Sequence, residues 1–144
     1  MNEKTRIVCS GCGSINQFPT ERLSQSPSCG TCKSPLFDGV PIAVSHSQLG
    51  RHIQHSTLPI VVDFWAPWCG PCRSFAPTFQ DLALEATGLR CLKLDTEANQ
   101  SAGAAYQIRS IPTLALFVDQ KEVNRISGAL GLDDLKAWIT QSLT

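Results

Sequence analysis

Six of the seven cysteines in the chain fall into Cys-x-x-Cys pairs, and this spacing is the strongest chemical signal in the sequence. In a secreted protein, seven cysteines would suggest a disulfide framework with one thiol left over. In a reducing compartment, such pairs indicate metal binding or redox chemistry. The pairs are Cys9 with Cys12, Cys29 with Cys32, and Cys69 with Cys72, whereas Cys91 stands alone.

The first two pairs are separated by sixteen residues, which is a spacing typical of a four-cysteine zinc site. Four thiolates leave no open coordination position, so we predict a structural Zn²⁺ that helps to fold the segment. Two redox disulfides or an iron site are the alternatives. The predicted ligands are Cys9, Cys12, Cys29 and Cys32.

Glycines and basic residues surround these four cysteines. The glycines would let the backbone approach the sulfurs and donate N–H groups to them, and they are Gly11, Gly13 and Gly30. The basic residues could offset the negative charge of four thiolates or could equally be solvated, and they are Lys4, Arg6 and Lys33.

The third pair follows the apolar run 59–65 and precedes a segment with helical periodicity. A cysteine at a helix N-terminus faces unpaired backbone N–H groups, which stabilise its thiolate. We therefore expect Cys69 to be an exposed, acidic nucleophile and Cys72, one turn later, to be the resolving thiol. Pro71 is tolerated in the first turn of a helix. Half of a zinc site or an inert buried pair is the alternative.

Three separated motifs around this pair carry a resemblance to a known family. They are Val-Asp-Phe-Trp-Ala-Pro-Trp-Cys-Gly-Pro-Cys at 62–72, Ile-Arg-Ser-Ile-Pro-Thr at 108–113 and Ser-Gly-Ala at 127–129. From about residue 40 to the C-terminus, the chain resembles thioredoxin. With its four N-terminal cysteines, it is similar over its whole length to the bacterial thioredoxin 2 subgroup.

The resemblance implies an α/β thioredoxin fold, in which helices flank a central mixed sheet of four or five strands, preceded by a small zinc-ribbon-like module. It also implies that Asp63 takes a proton from Cys72 and that Lys93 approaches this carboxylate. A carboxyl group inside an apolar strand should have a raised pKa. Asp63 could instead be satisfied by local hydrogen bonds, and Lys93 could be a solvated lysine.

The resemblance further implies a substrate-binding groove beside the reactive cysteines. In it, Pro112 matches a cis-proline, and Ile111 would offer backbone groups to an extended substrate segment. Trp68 would line the groove, and Trp65 is a core residue rather than a contact. The full set of expected binding residues is Trp68, Gly70, Pro71, Ile111, Pro112, Gly128 and Ala129.

The overall composition limits the classes of partner. Lys plus Arg and Asp plus Glu both number 12 in the 144 residues, so no strong field favours nucleic acid or a membrane surface. No apolar export segment or membrane span is evident, so we expect a cytoplasmic monomer without an organic cofactor. The resemblance implies disulfide-containing protein substrates and an NADPH-dependent thioredoxin reductase as partners.

A change in composition near residues 34–35 divides the chain into a zinc-binding ribbon module at 1–38 and a thioredoxin domain at 39–144. The first part has too few large apolar residues to build its own core. In the second part, we predict strands at 40–44, 59–65, 90–95, 113–118 and 121–127, and helices at 47–55, 72–86, 97–106 and 132–143. We expect Cys91 to be buried, and His46, His52 and His55 to be on the surface.

We therefore predict a protein-disulfide reductase of the thioredoxin type. A disulfide isomerase or oxidase would need an oxidising compartment. A zinc-dependent redox sensor, or an adaptor that uses the fold as a scaffold, is the alternative from another functional class.

Overall fold

Residues 3–144 are described by a computed structural model, which contains a two-stranded and a five-stranded sheet. The small sheet pairs β1 (Lys4–Val8) with β2 (Ile15–Pro19) in antiparallel fashion, and a 3₁₀ helix (Thr20–Gln25) follows. The first cysteine pair lies in the turn between these strands. The second lies in a loop closed by a bridge between Ser28 and Pro35.

The large sheet is mixed and has the order β3-β5-β4-β6-β7. β5 pairs in parallel with β3 and β4, whereas β6 pairs antiparallel with β4 and β7. This arrangement confirms the predicted mixed sheet. The strands are β3 (Ile42–Ala43), β4 (Ile60–Trp65), β5 (Arg90–Asp95), β6 (Thr113–Val118) and β7 (Lys121–Ser127).

Four helices cover the two faces of this sheet. Residues of α1 and α3 belong to the apolar cluster on one face, and residues of α2 and α4 belong to the cluster on the other. α1 begins at a capping box in which Ser45 and Gln48 satisfy each other's backbone N–H groups. The helices are α1 (His46–His55), α2 (Gly70–Glu85), α3 (Gln100–Ala105) and α4 (Leu132–Leu143).

The alternation of side chains along β4 decides which residues face the reactive cysteines. Ile60, Val62 and Phe64 belong to the cluster on the α1 side, whereas Val61 belongs to the cluster on the α2 side. Because successive residues of a strand point to opposite faces, Asp63 shares the face of Val61. The helix that begins after Cys69 covers this same face.

Two predicted elements are shorter than expected. The first strand is reduced to Ile42–Ala43, because Pro41 has no N–H for a ladder bond. The third helix begins at Gln100 instead of 97, because the Asp95 carboxylate accepts hydrogen bonds from the backbone N–H groups of residues 97 and 98 and holds them in a turn.

The N-terminal segment buries a small apolar cluster. Ile7, Phe18 and Leu36 are buried in it together with two of the cysteines. Leu58, from the loop before β4, packs against this cluster. The second region therefore contributes an apolar side chain to the small core, which fits the small number of large apolar residues in the first 38.

The expectation for one histidine is wrong. His52 is only 3% exposed, because it lies on the face of α1 that also carries the buried Leu49. Burial, together with Arg90 and Arg51, lowers the pKa of His52 to about 4, so it is neutral near pH 7. Among residues 3–144, no helix is long and apolar enough to cross a membrane.

Candidate functional site

Cys69 and Cys72 form a disulfide at the start of α2, with 5.2 Å between their Cα atoms. Cys69 is the N-cap residue, and its Sγ accepts a hydrogen bond of 3.2 Å from the backbone N–H of Cys72. This contact places the first sulfur against the unpaired N–H groups of the helix terminus, which favour a negative charge on it. The expected position of the pair at the helix terminus is therefore observed.

The expected exposure of Cys69 is not observed. In the disulfide form, its side chain is 5% exposed and packs in a small cluster with Ala66, Cys72 and the half-buried Ile111. Trp68 beside it is 66% exposed. In the disulfide form, the first sulfur is therefore almost fully covered, whereas the indole ring next to it is open to a partner.

The loop before β6 brings a distant part of the sequence to the first sulfur. The carbonyl oxygen of Ile111 lies 3.8 Å from the Sγ of Cys69, and the Ile111–Pro112 peptide bond is cis. The backbone N–H of Gly128 donates to the Pro112 carbonyl at 2.9 Å. Gly128 has a φ of +108°, which side chains rarely allow, although a Cβ there would meet no atom within 4 Å.

The other expected binding residues are at the surface of the same region. Gly70 and Pro71 open α2 and are exposed, and Ala129 is exposed after Gly128. The Trp68 indole N–H donates to the Glu97 carboxylate at 3.2 Å. No sequence pattern pointed to Glu97, which follows β5 in the chain and reaches the ring only in three dimensions.

Asp63 is a buried carboxyl group with an unusual protonation equilibrium. It is 4% exposed, and its Oδ1 has no hydrogen-bond partner in the described part of the chain. Burial raises the pKa of Asp63 to about 7, although the positive charge of Lys93 opposes the shift. The predicted direction of this shift is confirmed, and the group can gain or lose a proton near neutral pH.

Lys93 lies directly beside Asp63 in the sheet, because the two residues are register partners in the parallel pair β4–β5. Its Nζ is 5.4 Å from the centre of the Trp65 ring. A cleft of about 270 Å³ is lined by Asp63, Trp65, Cys72 and Lys93, and by Val40 from the segment that enters β3. Asp63 and Cys72 thus border the same cleft, which is large enough to hold water.

The four N-terminal cysteines converge on one point. Their Sγ atoms all lie within 4.8 Å of one another, with 3.6 Å between Cys9 and Cys32 and between Cys12 and Cys29. Tetrahedral zinc, with Zn–S bonds of about 2.3 Å, needs sulfurs about 3.8 Å apart. The donor set and its spacing therefore fit zinc.

The two cysteine loops repeat the same backbone hydrogen bonds. Gly13 N–H donates to the Cys9 carbonyl and Lys33 N–H to the Cys29 carbonyl, both at 3.0 Å. The residues that close the loops also match, since both have left-handed backbones with φ of +78° at Gly13 and +68° at Lys33. Each loop thus folds its pair of sulfurs inward in the same way.

Hydrogen bonds to the sulfurs come partly from unexpected residues. Gly11 N–H donates to the Cys9 Sγ at 3.3 Å, as expected, but neither Gly13 nor Gly30 donates to a sulfur. The Asn16 amide instead donates to the Cys29 Sγ at 3.4 Å and accepts from Gly30 N–H at 2.9 Å. No sequence signal distinguished Asn16 from other polar residues of its strand.

These contacts favour a thiolate at Cys29. The backbone N–H of Cys32 has the largest effect and Asn16 the next, and together with smaller contributions they lower the pKa of Cys29 to about 5. A zinc ligand must be deprotonated, so the shift favours metal binding at neutral pH.

Known proteins resemble both parts of the chain. Residues 40–141 match the family Thioredoxin, and residues 8–34 match the family Thioredoxin 2, N-terminal. Thioredoxin C-3 from Corynebacterium nephridii is 43% identical over 137 residues, which cover 95% of this chain and 94% of that protein.

Solved structures agree on the fold. A mutant thioredoxin from Halobacterium salinarum NRC-1 is 31% identical and has a TM-score of 0.67, with 74% of this chain and 93% of that chain covered. Thioredoxin f from spinach chloroplast has a TM-score of 0.69 over 87% of this chain and 95% of that chain. At 24% identity, the spinach protein supports the fold alone.

Proposed function

This chain belongs to the thioredoxin family of protein-disulfide oxidoreductases, and from this we propose that it reduces protein disulfides through Cys69 and Cys72. One observation carries the proposal: the Sγ of Cys69 accepts a backbone hydrogen bond at the tip of α2 and lies beside the carbonyl of Ile111. The same sulfur thus has a source of thiolate stabilisation and a neighbouring strand-like backbone on which a substrate could bind.

The first step begins with the dithiol form of the protein. The Cys69 thiolate attacks one sulfur of the substrate disulfide, so a mixed disulfide forms and the other substrate sulfur leaves as a thiolate. The helix terminus stabilises the attacking anion. The substrate disulfide must reach Cys69 beside the exposed Trp68, which favours exposed disulfides in extended or flexible segments.

The second step needs a thiolate at Cys72, which is buried beneath Cys69. Asp63, with its pKa of about 7, takes the proton of Cys72 through the shared cleft. The Cys72 thiolate then attacks the Sγ of Cys69, the mixed disulfide breaks and the second substrate thiolate leaves. The substrate has gained two electrons and the protein pair is oxidised. The positive charge of Lys93 stabilises the ionised form of the Asp63 carboxylate.

The substrate segment would pair with the backbone of Ile111 and lie across Pro112. The exposed ring of Trp68 would cover its other side. The small residues of this rim leave space for a second polypeptide backbone, and they are Gly70, Pro71, Gly128 and Ala129.

The N-terminal cysteines would hold a structural zinc ion, with Cys9, Cys12, Cys29 and Cys32 as ligands. Bound zinc supplies folding free energy and no catalytic step. We assign this ribbon module to residues 1–38 and the thioredoxin domain to residues 39–144. The four sulfurs and the backbone donors around them support a zinc site within this module.

An NADPH-dependent thioredoxin reductase would restore the dithiol form after each cycle. The protein would act as a monomer in the cytoplasm, where such a reductase keeps thiols reduced. Its substrates would be proteins with accessible disulfides.

Insulin reduction in the presence of NADPH and a thioredoxin reductase tests the mechanism. We expect Cys72→Ser to lose turnover, because the mixed disulfide cannot be resolved. Cys91→Ala is the matched control, since Cys91 is buried in the core away from the reactive pair, and it should retain turnover. Undiminished turnover by Cys72→Ser would contradict the mechanism.

The same Cys72→Ser variant distinguishes an enzyme from an adaptor. Partners joined to Cys69 through a mixed disulfide would support exchange chemistry, whereas purely noncovalent partners held by residues 1–38 would support an adaptor. Metal analysis of protein purified under reducing conditions should find one zinc ion for four cysteine ligands. Protein that lacks zinc would remove the proposed metal site without affecting the redox mechanism.

A further inference from the structure

A buried arginine lies between the zinc-ligand segment and the large sheet. Arg90 is the first residue of β5 and is 2% exposed. Its Nη1 donates to the Leu36 carbonyl at 2.5 Å, and its Nη2 donates to the Val8 carbonyl at 2.7 Å. Its guanidinium carbon lies 4.8 Å from the centre of the Phe37 ring. One side chain of the thioredoxin region thus binds the chain just before the first of the four cysteines and just after the last.

No carboxylate pairs with this buried charge. Within residues 3–144, the ion pairs are Arg125 with Glu122 and Lys136 with Glu85, and neither involves Arg90. Asp38 is exposed and does not lie within ion-pairing distance. A buried guanidinium with only neutral carbonyl partners is costly unless negative charge lies nearby.

The cysteine cluster is a source of negative charge beside one of these contacts. Val8, whose carbonyl accepts from Arg90, immediately precedes the buried Cys9. Four thiolates around one divalent ion carry a net charge of about −2.

The basic residues that the sequence offered for this role are not buried. Arg6 donates through Nε to the His55 carbonyl at 3.0 Å, and Lys33 donates to the Gly30 carbonyl at 2.8 Å. Lys4 is exposed on β1. Arg51 also crosses the boundary, to the Gly13 carbonyl at 2.8 Å, but it is exposed to solvent. Of these cations, Arg90 alone is buried.

We propose that Arg90 is a positioning residue that supplies the counter-charge of the zinc tetrathiolate and couples zinc binding to the stability of the thioredoxin domain. The inference rests on the proposed zinc site. With zinc bound, the guanidinium would donate to carbonyl groups of the same segment that carries the dianionic cluster. Without zinc, the cluster no longer has this net negative charge, and the buried cation loses its compensation. Zinc loss therefore weakens the fold beyond residue 38.

The tryptophans provide a probe that is confined to one part of the chain. Trp65, Trp68 and Trp138 all lie after residue 38, so their fluorescence follows unfolding of the thioredoxin domain. Urea unfolding is compared for zinc-loaded and chelator-treated protein. For the natural chain, we expect chelation to lower the urea midpoint measured by tryptophan fluorescence.

In Arg90→Met, we expect the difference between the zinc-loaded and chelated midpoints to shrink. A merely structural arginine would lower both midpoints equally and leave the difference unchanged. Zinc affinity, measured by competition with a chromogenic chelator, should fall about 10-fold or more, as for other residues that support metal ligands indirectly. Asp38→Asn is the matched control and should resemble the natural chain.

Arg90→Lys covers the case in which the methionine variant does not fold. It keeps the charge but not the forked pair of donors, and it should give a midpoint difference between those of the natural chain and Arg90→Met. If neither Arg90 variant changes the midpoint difference or the zinc affinity, or if Asp38→Asn reproduces their effects, the proposal is wrong. The metal analysis is done first. If it finds no zinc in the natural chain, the zinc site itself is refuted.

Discussion

Replacing Asp63 by Asn is expected to stabilise the oxidised protein at alkaline pH. Burial raises the pKa of Asp63 from its ordinary value of 3.8 to about 7, so the folded protein binds this proton more tightly than the unfolded chain does. The stability conferred by the protonated carboxyl is complete below the unfolded pKa and is lost as the pH rises through 7. An asparagine amide has a similar shape and carries no charge at any of these pH values.

The magnitude follows from the pKa difference between the folded and unfolded states. One pKa unit corresponds to about 1.4 kcal/mol, so the ionised carboxylate lowers the free energy of unfolding by about 4 kcal/mol well above pH 7. The gain from Asp63→Asn should therefore approach about 4 kcal/mol at pH 9. At pH 5.5, where the folded protein already holds the proton, roughly half of this gain should remain.

Urea unfolding of the oxidised protein, followed by tryptophan fluorescence at several pH values, measures this difference. The control is Asp81→Asn, because Asp81 is exposed to solvent. Any loss of zinc at low pH affects both variants alike and therefore cancels in the comparison. The effect of Asp81→Asn on the free energy of unfolding should be small throughout. A stabilisation by Asp63→Asn that does not change between pH 5.5 and 9, or a loss of stability at pH 9, would refute the reasoning from burial.

Three further outcomes are expected. Asn16→Ala should weaken zinc binding about 10-fold or more in a chelator competition, because the Asn16 amide contacts a ligand sulfur. Gln17→Ala on the same strand is the control and should not weaken it. Equal effects of the two variants would exclude a specific role for the Asn16 amide. Gly128→Ala should cost about 1–3 kcal/mol in unfolding free energy because of its positive φ. Gly103→Ala, inside α3 with open space around it, should instead add about 0.5–1 kcal/mol, and the reverse order would contradict the backbone argument. Cys91, whose pKa burial raises to about 12, should react with iodoacetamide at pH 8 only after unfolding, as mass spectrometry of the reduced protein would reveal.

The sheet and both cysteine clusters could be predicted because their signals are local or periodic. Apolar runs such as 59–65 mark buried strands, and apolar residues spaced by three and four mark the helix after Cys69. Two residues between paired cysteines also restrict the distance between their sulfurs before any tertiary structure forms. These features depend on neighbours along the chain.

Other features of the site have no local signal. Arg90 has the sequence appearance of a polar residue at the edge of a strand, yet it is buried because the N-terminal segment covers it. His52 is buried on a face of α1 that borders the N-terminal segment, where it lines a small cavity with Val8 and Cys9. Glu97 meets Trp68, and Asn16 meets Cys29, across gaps of the chain that only the fold closes.

The sequence by itself determined which residues can do chemistry: a cysteine pair at a helix terminus, four further cysteines with zinc spacing, and an aspartate inside an apolar strand. The tertiary structure decided how accessible and how charged they are. It buries Cys69 in the disulfide form and places Lys93 beside Asp63. The physical reason is that spacing along the chain sets local geometry, whereas desolvation and charge interactions depend on residues that become neighbours only when the chain folds.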